Sequence, residues 1–358
     1  MSQVVARLTR AMRRTNAARS LVAAITVVGV AACSGAKDAG SNAAANQQGS
    51  AKKTLTIAMI GKSSTNPVFL SGRTGAEAAA KELTDSTGIQ VKIDWLTPPS
   101  EDATLQAQRI AQAVNSGDDA VLLSASEAAK VTGAIDQAVA RGVPVMTFDS
   151  DVPGSKRFSF YGGDDEAMGR QVVAELAKQM GGKGKIAILG GNQNAPNLQK
   201  RVKGAKDEAA KYPGITVVNT FYHTETPQDA AAEVLRAQNA YPGIQGWAMI
   251  GGWALFTKAL LTDLDPNRVK VVSVDALPAE LPYVEKGLAP VLFAQPTYQW
   301  GYVGVKTIFD KVQLHKDVPE HVQMDLIRVS KDNLGAWARQ LKDWGFTDVD
   351  PKYIALSK

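Results

Sequence analysis

Residues 120–151 read AVLLSASEAAKVTGAIDQAVARGVPVMTFDSD. The apolar runs 120–123 and 143–148 have the length and composition of buried strands, and 126–140 carries apolar residues at helical spacing. Strand, helix and strand in this order predict a parallel β-α-β unit, because parallel strands need a crossover connection. The continuous apolar character of both strands further indicates a sheet that is covered on both faces.

The same alternation extends over most of the chain. Further strands are predicted at 55–60, 90–95, 157–161, 185–190, 215–221, 245–250, 269–274 and 290–294. Further helices are predicted at 67–83, 101–116, 165–180, 196–211, 227–240, 253–263, 277–286 and 297–311. The elements form two similar runs with a break at Gly162-Gly163-Asp164. The pattern therefore predicts an α/β fold of two doubly wound parallel-sheet domains rather than one barrel of eight regular units.

The N-terminal segment differs in composition from the rest. The chain has 358 residues, with 40 lysines and arginines against 35 acidic residues. Five arginines and no acid lie in residues 1–32, which leaves 35 basic and 35 acidic residues in the remainder. The balanced remainder gives no reason to expect a nucleic-acid partner. The apolar run 21–32 is too short to span a bilayer stably and is typical of a secretory signal, so 1–32 is predicted to be a signal peptide.

The apolar run ends in Val30-Ala31-Ala32-Cys33, which resembles the bacterial lipobox. That resemblance implies a lipidated Cys33 at the mature N-terminus and a periplasmic or cell-surface protein held to the membrane by its anchor only. Residues 33–53 contain no large apolar side chain and are expected to form a flexible tether. The alternative is an ordinary signal peptide with an incidental cysteine.

The composition and motifs of the chain argue against several chemistries. The single cysteine and three histidines exclude an intramolecular disulfide and a cysteine-built metal site, and neither a metal nor a cofactor is expected. Gly61-Lys62-Ser63 lacks the upstream glycine of a phosphate-binding loop, and no nucleophile-elbow, C-x-x-C or H-E-x-x-H motif occurs. His223 follows a predicted strand but has no obvious partner for base catalysis. We therefore do not expect an enzyme.

In doubly wound sheets, ligands bind at the carboxyl ends of the strands. The candidate ligand-binding residues at those ends are Lys62, Asn66, Phe69, Ser124, Asp149, Ser150, Asp151, Asn197, Arg201, Glu225, Trp253, Asp275 and Gln295. Carboxylate and amide oxygens accept hydrogen bonds from hydroxyls, arginine and amide N–H groups donate them, and aromatic rings cover apolar C–H faces. This set of side chains predicts a polyhydroxylated ligand.

Several candidates have a structural alternative. Phe69 could belong to the core, and Trp253 could pack within the first turn of a helix. Asp149 could cap a helix N-terminus. Arg201 could pair with Asp207 or Glu208 on its own helix.

Five motifs in order resemble the ribose/galactose-type periplasmic sugar-binding proteins, over about residues 54–330. They are Thr56-Ile-Ala-Met-Ile60 with Asn66-Pro67-Val-Phe69, Val143-Pro-Val-Met-Thr-Phe-Asp149, Arg201-Val-Lys-Gly204, Val271-Val-Ser-Val-Asp275, and Phe293-Ala-Gln295-Pro296 with Gln299-x-Gly301. The resemblance implies that Asn66 and Phe69 line the first domain and that Asp149 takes two sugar hydroxyls. It also implies that Arg201 and Asp275 form the polar clamp of the second domain, with Gln295 at the hinge.

The chain departs from this family pattern at three places. Ser150 and Asp151 follow Asp149, where an arginine is often found. Gly251-Gly252-Trp253 replaces a common Asn-Asp pair, and Lys62 occupies a position that is often small and polar. These departures leave open whether the sugar is a pentose, a hexose, a deoxy sugar or a polyol.

The resemblance implies an extracytoplasmic solute-binding protein of a sugar ABC importer, monomeric, that binds a monosaccharide by hinge closure and delivers it to an ABC permease. The expected domains are 54–163 with 296–324, and 164–295 with 325–358. Three chain crossings would join them, near Gly163-Asp164, Gln295-Pro296 and Met324-Asp325. The alternatives are a receptor for a sugar-like signalling molecule and a chemoreceptor-coupled sugar sensor. A sugar-responsive repressor has the same fold, but its DNA-binding helices would stand where this chain has a secretion signal.

A final expectation concerns the two aspartates. Neither Asp149 nor Asp275 has a cation within the four residues that follow it. The sequence therefore predicts that ligand hydroxyls supply the partners of both buried carboxylates, because an unpaired buried charge is costly.

Overall fold

The computed structural model describes residues 53–357; the signal peptide, Cys33 and nearly all of the tether lie outside the described residues. Twelve strands occur within 53–357. They are β1 (Thr54–Ile60), β2 (Gln90–Trp95), β3 (Ala120–Leu123), β4 (Val145–Phe148), β5 (Ser159–Gly162), β6 (Lys183–Gly190), β7 (Gly214–Tyr222), β8 (Ile244–Met249), β9 (Lys270–Val274), β10 (Val291–Ala294), β11 (His321–Gln323) and β12 (Ile327–Ser330).

The α-helices connect these strands and follow the last one. They are α1 (Pro67–Thr87), α2 (Ala103–Ser116), α3 (Ala128–Ala140), α4 (Asp165–Gln179), α5 (Pro196–Ala209), α6 (Pro227–Ala240), α7 (Ala259–Asp263), α8 (Leu281–Lys286), α9 (Thr297–Val312), α10 (Leu334–Asp343) and α11 (Pro351–Ile354). Within the described part of the chain, no helix combines the length and apolar character needed to cross a membrane.

Two of the predicted helices are interrupted. Residues 253–263 form a 3₁₀ turn at Trp253–Phe256 and then the short helix α7, because Thr257 has an extended backbone. Residues 277–286 form a second 3₁₀ turn at Pro278–Glu280 before α8. The first interruption follows the carboxyl end of β8 in the chain, and the second follows that of β9.

The strands form two six-stranded sheets with the same winding. The first has the order β11-β5-β4-β3-β1-β2 and is parallel throughout. The second has the order β12-β10-β9-β8-β6-β7 and is parallel except for β12, which runs antiparallel to β10. The prediction of two doubly wound α/β domains is confirmed, with two edge strands that it did not include, the parallel β11 and the antiparallel β12.

The chain passes between the two sheets three times. It leaves the first sheet after β5, and α4 packs on β8 and β9 of the second. It returns after β10, because α9 packs on β3, β4 and β5 of the first sheet. It crosses again between β11, which pairs with β5, and β12, which pairs with β10. In each sheet the strand order reverses between two neighbours, β1 and β3 or β6 and β8, and this reversal leaves a crevice at their carboxyl ends.

Helices α4 and α5 approach each other so closely that only glycine fits at the crossing. A Cβ on Gly169 would lie 1.9 Å from the carbonyl oxygen of Arg201, and a Cβ on Gly204 would lie 2.0 Å from that of Glu166. The two backbones are therefore in direct contact. This contact fixes the height of Arg201 on α5 relative to α4.

We predict that Gly204→Ala lowers the melting temperature, because the added methyl must push α4 and α5 apart at a cost of ~1–3 kcal/mol or more. Circular dichroism on heating measures the change. Gly133→Ala is the matched control, since Gly133 lies within α3 and a Cβ there meets no atom within 4 Å. It should melt at or above the temperature of the wild type. Equal melting of both variants would contradict the close crossing.

Candidate functional site

Two aspartates at strand ends have an unusual backbone conformation. Asp149 follows β4 with φ of 56°, and Asp275 follows β9 with φ of 77°. In residues 53–357 only one other non-glycine residue, His315, has a positive φ. Such strain costs ~1–3 kcal/mol and collects at functional sites, where the surrounding structure holds it in place. The two residues that the sequence selected as essential ligand contacts are therefore also held in strained turns.

The carboxylate of Asp149 has protein partners from both domains. Ser124 Oγ donates to Oδ2 over 2.8 Å, and Asn197 Nδ2 donates to Oδ1 over 3.2 Å. Arg201 Nη2 lies 3.8 Å from Oδ1. In this structure protein groups take the place that the sequence analysis gave to ligand hydroxyls, because helix α5 of the second domain reaches across the cleft to this carboxylate.

Asp275 is also satisfied by the protein. The backbone N–H of Gly252 donates to Oδ2 over 3.0 Å, and Gln295 Nε2 donates to Oδ1 over 2.8 Å. Burial raises the pKa of Asp275, although these two hydrogen bonds act in the opposite direction. Here too the sequence could not show the partners, which come from the ends of β8 and β10.

Arg201 is buried and joins several elements. Its Nε donates to Asp165 Oδ1 over 2.8 Å, and its Nη2 donates to Gln295 Oε1 over 2.9 Å. Its Nη1 donates to the carbonyl of Ile250 over 3.3 Å. The alternative of a pair with Asp207 or Glu208 is therefore wrong, because the guanidinium turns towards α4 and the cleft.

The charges around Arg201 are strongly coupled. Burial opposes the charged form of Arg201, but the carboxylates of Asp165, Asp149 and Asp275 raise its pKa above the ordinary value. Burial raises the pKa of Asp165 to about 6, with Arg201 acting against the rise. The pair is thus largely removed from water, and its strength depends on the surrounding partners.

Lys62 and Asn197 form a second link across the cleft. Lys62 has 2% of its surface exposed, and its Nζ donates to Asn197 Oδ1 over 3.2 Å. Burial opposes the charge of Lys62, but Glu225, Asp149 and Glu101 raise its pKa. Because Asn197 accepts from Lys62 and donates to Asp149, one amide connects two residues of the first domain.

Aromatic rings line the same cleft. Phe69 contacts the rings of Phe148 and Trp300, with centroids 6.3 and 5.7 Å away. It therefore belongs to the core and lines the cleft at the same time. Trp253 meets the ring of His223 edge-on, with centroids 5.2 Å apart. The pKa of His223 is lowered, mainly by burial.

The structure brings ten of the predicted site residues to one inner cavity: Lys62, Asn66, Phe69, Asp149, Asn197, Arg201, Glu225, Trp253, Asp275 and Gln295. Its volume is about 20 Å³, close to the room for one water molecule. An outer cavity of about 880 Å³ shares several of these residues. The cross-cleft hydrogen bonds occupy the space between the polar groups and leave the inner cavity too small for a ligand much larger than a water molecule.

The other three predicted residues lie beside the cavity and do not line it. Ser124 supports Asp149 through its hydroxyl. Ser150 has a buried hydroxyl with no partner among the described residues. Asp151 is engaged elsewhere, because Arg157 donates to both of its carboxylate oxygens, over 2.6 and 2.7 Å.

Some lining residues were not predicted. Glu101, Asn192, Tyr222, His223 and Phe256 line the outer cavity, and Val68, Leu198 and Trp300 line the inner one. Asn192 Nδ2 donates to Glu101 Oε1 over 3.3 Å, which adds a third link between the domains. Glu101 precedes a helix, and no strand-end rule would have selected it.

Over residues 53–357, no group of three or more histidine, cysteine or acidic side chains is arranged to hold a metal ion.

A family model described as a periplasmic binding protein domain matches residues 57–317, well over half of the chain. The chain belongs to the periplasmic binding protein family. The members of this family are binding proteins. The match begins within β1, includes β2 to β10 and contains every residue that lines the inner cavity.

Similar proteins support the assignment. The D-ribose/D-allose-binding protein of Pseudomonas aeruginosa is 26% identical over 282 residues, which are 74% of this chain and 84% of that protein. The ribose import binding protein of Bacillus subtilis is 28% identical over 153 residues, 43% of this chain and about half of that protein, 48%. The solved structure of an ABC transporter solute-binding protein from Burkholderia graminis, in complex with D-arabinose, has a TM-score of 0.73 and 26% identity. The alignment covers 78% of this periplasmic binding protein and 96% of that chain.

The separation of Asp151 from the cavity makes a testable difference. We predict that Asp151→Ala lowers the free energy of unfolding by ~3–5 kcal/mol, because it leaves the buried guanidinium of Arg157 without its two hydrogen bonds. Urea unfolding measures this change. Glu77→Ala removes the exposed partner of Arg73 and serves as the control, with an expected loss below ~0.5 kcal/mol. A stable Asp151→Ala protein with weakened ligand binding would instead place Asp151 in the site.

Proposed function

We propose that this chain is the extracytoplasmic solute-binding protein of a sugar ABC importer and that it holds a monosaccharide between its two domains. The observation that carries the proposal is the cross-cleft network of Lys62, Asn197, Asp149 and Arg201. Each member is a group that forms hydrogen bonds with hydroxyls, and the members come from both domains. A ligand with several hydroxyls can take over these bonds on both sides at once.

The binding mode follows from the donors and acceptors present. Asp149 and Asp275 accept hydrogen bonds from sugar hydroxyls. Arg201, Asn197 and Lys62 donate to hydroxyl and ring oxygens, while the rings of Phe69 and Trp253 lie against the C–H faces. The sugar enters when the cleft opens and replaces the direct bonds between domains when it closes. It favours the closed form by its higher affinity for that form.

The sugar class is proposed from the relatives and the site together. The relatives named above carry ribose, allose or arabinose in their descriptions, and all three are neutral aldoses. Among the described residues of the cleft no cation is left unmatched to receive an anionic substituent, since Lys62 and Arg201 both face carboxylates. A neutral pentose or hexose fits these partners.

We also propose the domain boundaries 54–163 with 296–324, and 164–295 with 325–358. Their support is the three passages of the chain between the two sheets, which fall near residues 163, 295 and 324. Three connections permit bending and resist twisting. No chemical step is part of the proposed function. His223 contacts a backbone oxygen of Thr224 and the ring of Trp253, with no hydroxyl or thiol nucleophile among the contacts described for it.

Substitution of Asp149 tests the proposed site. Asp149→Ala should weaken sugar binding at least a hundredfold, ~3 kcal/mol, because two charge-assisted hydrogen bonds are lost. Isothermal titration with D-ribose, D-allose, D-arabinose and xylitol measures the affinity. Asp263→Ala, at the exposed end of α7, is the matched aspartate control.

Two outcomes would contradict the proposal in different ways. If the wild type binds none of these compounds, the proposed sugar class is wrong. If Asp149→Ala folds and binds as the wild type does, the sugar class stands and the site assignment fails.

We further propose that Cys33 carries a lipid anchor and that the protein passes its sugar to an ABC permease in the membrane. The support is Val30-Ala31-Ala32-Cys33 and the polar tether behind it. The acyl chains would bind the membrane firmly, at ~0.8 kcal/mol per buried CH₂. Cys33→Ser should move the protein from the membrane fraction to the soluble fraction of the cells, as seen by immunoblotting. Retention of Cys33→Ser in the membrane would rule out the anchor.

A further inference from the structure

Glu280 is a buried acid that plays no part in the binding mode described above. It ends the 3₁₀ turn Pro278–Glu280, and none of its surface is exposed. One carboxyl oxygen, Oε2, accepts a hydrogen bond from the backbone N–H of Leu277. The other, Oε1, has no hydrogen-bond partner within residues 53–357. A carboxylate left in this state would be strongly disfavoured.

The unpartnered oxygen of Glu280 packs against the turn that holds Asp275. A Cβ on Gly252 would lie 2.7 Å from Glu280 Oε1 and 3.1 Å from Asp275 Cβ. The N–H of the same glycine donates to Asp275 Oδ2. Trp253, whose ring lines the cavity, is the next residue. Glu280 thus lies directly behind the backbone that places two cavity residues.

The groups that face Glu280 do not balance a negative charge there. Burial raises the pKa of Glu280 well above its ordinary value, and the carboxylate of Asp275 raises it further. Besides Glu280 and Asp275, the titratable group here is the hydroxyl of Tyr283, whose pKa is raised to about 12, mainly by burial. Arg201 stabilises the charge of Asp275. Because two adjacent buried carboxyl groups do not both ionise readily, the carboxylate of Asp275 opposes ionisation of Glu280 and favours its protonated form.

We propose that Glu280 is a positioning residue for sugar binding: its buried carboxyl group, packed against Gly252, supports the Gly252–Asp275 contact and so holds Asp275 and Trp253 where the sugar meets them. The proposal deepens the proposed function and rests on it. It assigns to Glu280 an effect on affinity without any contact with the sugar.

The test compares two substitutions at Glu280. Glu280→Gln keeps the shape of the side chain and is uncharged. It should bind the sugar within about threefold of the wild-type affinity at pH 7. Glu280→Leu lacks the acceptor for Leu277 N–H and should bind at least tenfold more weakly. The probe is whichever of D-ribose, D-allose and D-arabinose binds the wild type most tightly, measured by isothermal titration. Glu285→Gln, an exposed change on the neighbouring helix α8, is the control.

A pH series separates positioning from a purely structural role. Wild-type affinity should fall on the alkaline side, because loss of the Glu280 proton places a second negative charge beside Asp275. Glu280→Gln should show a smaller fall in affinity.

The melting temperature gives the same comparison of Glu280→Gln with the wild type in the absence of sugar. Since the folded-state pKa of Glu280 is raised, its stabilising contribution is complete below the ordinary pKa and is lost as the pH rises. The melting temperature of Glu280→Gln relative to the wild type should therefore increase from pH 5 to pH 9.

A sugar-independent measurement keeps the inference apart from the proposed function. The fluorescence emission of Trp253 is obtained by subtracting the spectrum of the corresponding Trp253→Phe protein from the spectrum of each variant. Glu280→Leu should shift this emission, whereas Glu280→Gln should leave it close to that of the wild type. If the wild type binds no sugar but the emission and melting results hold, the sugar class fails and the positioning role stands.

Three results would overturn the role of Glu280. If Glu280→Gln binds tenfold more weakly than the wild type while Glu285→Gln binds as the wild type does, Glu280 acts as an essential anion. Glu280→Leu could match the wild type in affinity and Trp253 emission. The pH profiles of Glu280→Gln and the wild type could coincide.

Discussion

The buried charge of Arg201 constrains the whole centre of the molecule. A guanidinium removed from water is tolerated only where several acceptors surround it. Asp165, Gln295 and the carbonyl of Ile250 accept its hydrogen bonds, and Asp149 lies close by. These acceptors stand on α4 and at the ends of β10, β8 and β4. The need to satisfy one cation therefore brings elements of both domains to one point, and the cleft forms around that point. The glycine-only crossing of α4 and α5 sets the height at which the guanidinium meets them.

The charge balance of the cleft supports the proposal of a neutral polyhydroxylated ligand. Lys62 and Arg201 already face carboxylates, and Glu225 and Glu280 have raised pKa values, mainly because they are buried. An ion entering such a set would leave some charge unmatched in a water-poor space. Hydroxyls avoid this difficulty, because each can replace one donor or acceptor without a change in net charge. The direct bonds through Asn197 are the ones that a sugar can replace, since they hold the two domains together across the cleft.

The strand-helix alternation was sufficient to predict both sheets, because apolar periodicity depends on local sequence. The runs VPVMTFD and VVSVD also placed Asp149 and Asp275 correctly at strand ends. The sequence could not assign Asp151, two residues away, to Arg157, since the direction of a side chain after a strand depends on the turn that follows. Nor could it pair Arg201 with Asp165, which lies 36 residues earlier on another helix. The antiparallel edge strand β12 has only four residues, of which the first two are exposed, so it lacks the continuous apolar run that marks the central strands.

The Gly251-Gly252-Trp253 segment illustrates how a departure from a family pattern can be compensated. The pattern implied by the resemblance has polar side chains here, whereas this chain uses the backbone N–H of Gly252 as the donor to Asp275. That arrangement needs glycine at both positions. A Cβ on Gly251 would lie 2.2 Å from the ring of Trp253, and one on Gly252 would lie 2.7 Å from Glu280 Oε1. The space that side chains would have filled is taken by an aromatic ring on the cleft side and by a buried acid behind. The lost side-chain donor is thus replaced by a backbone donor, and the loss of polar surface is replaced by a ring that can cover a C–H face of the sugar.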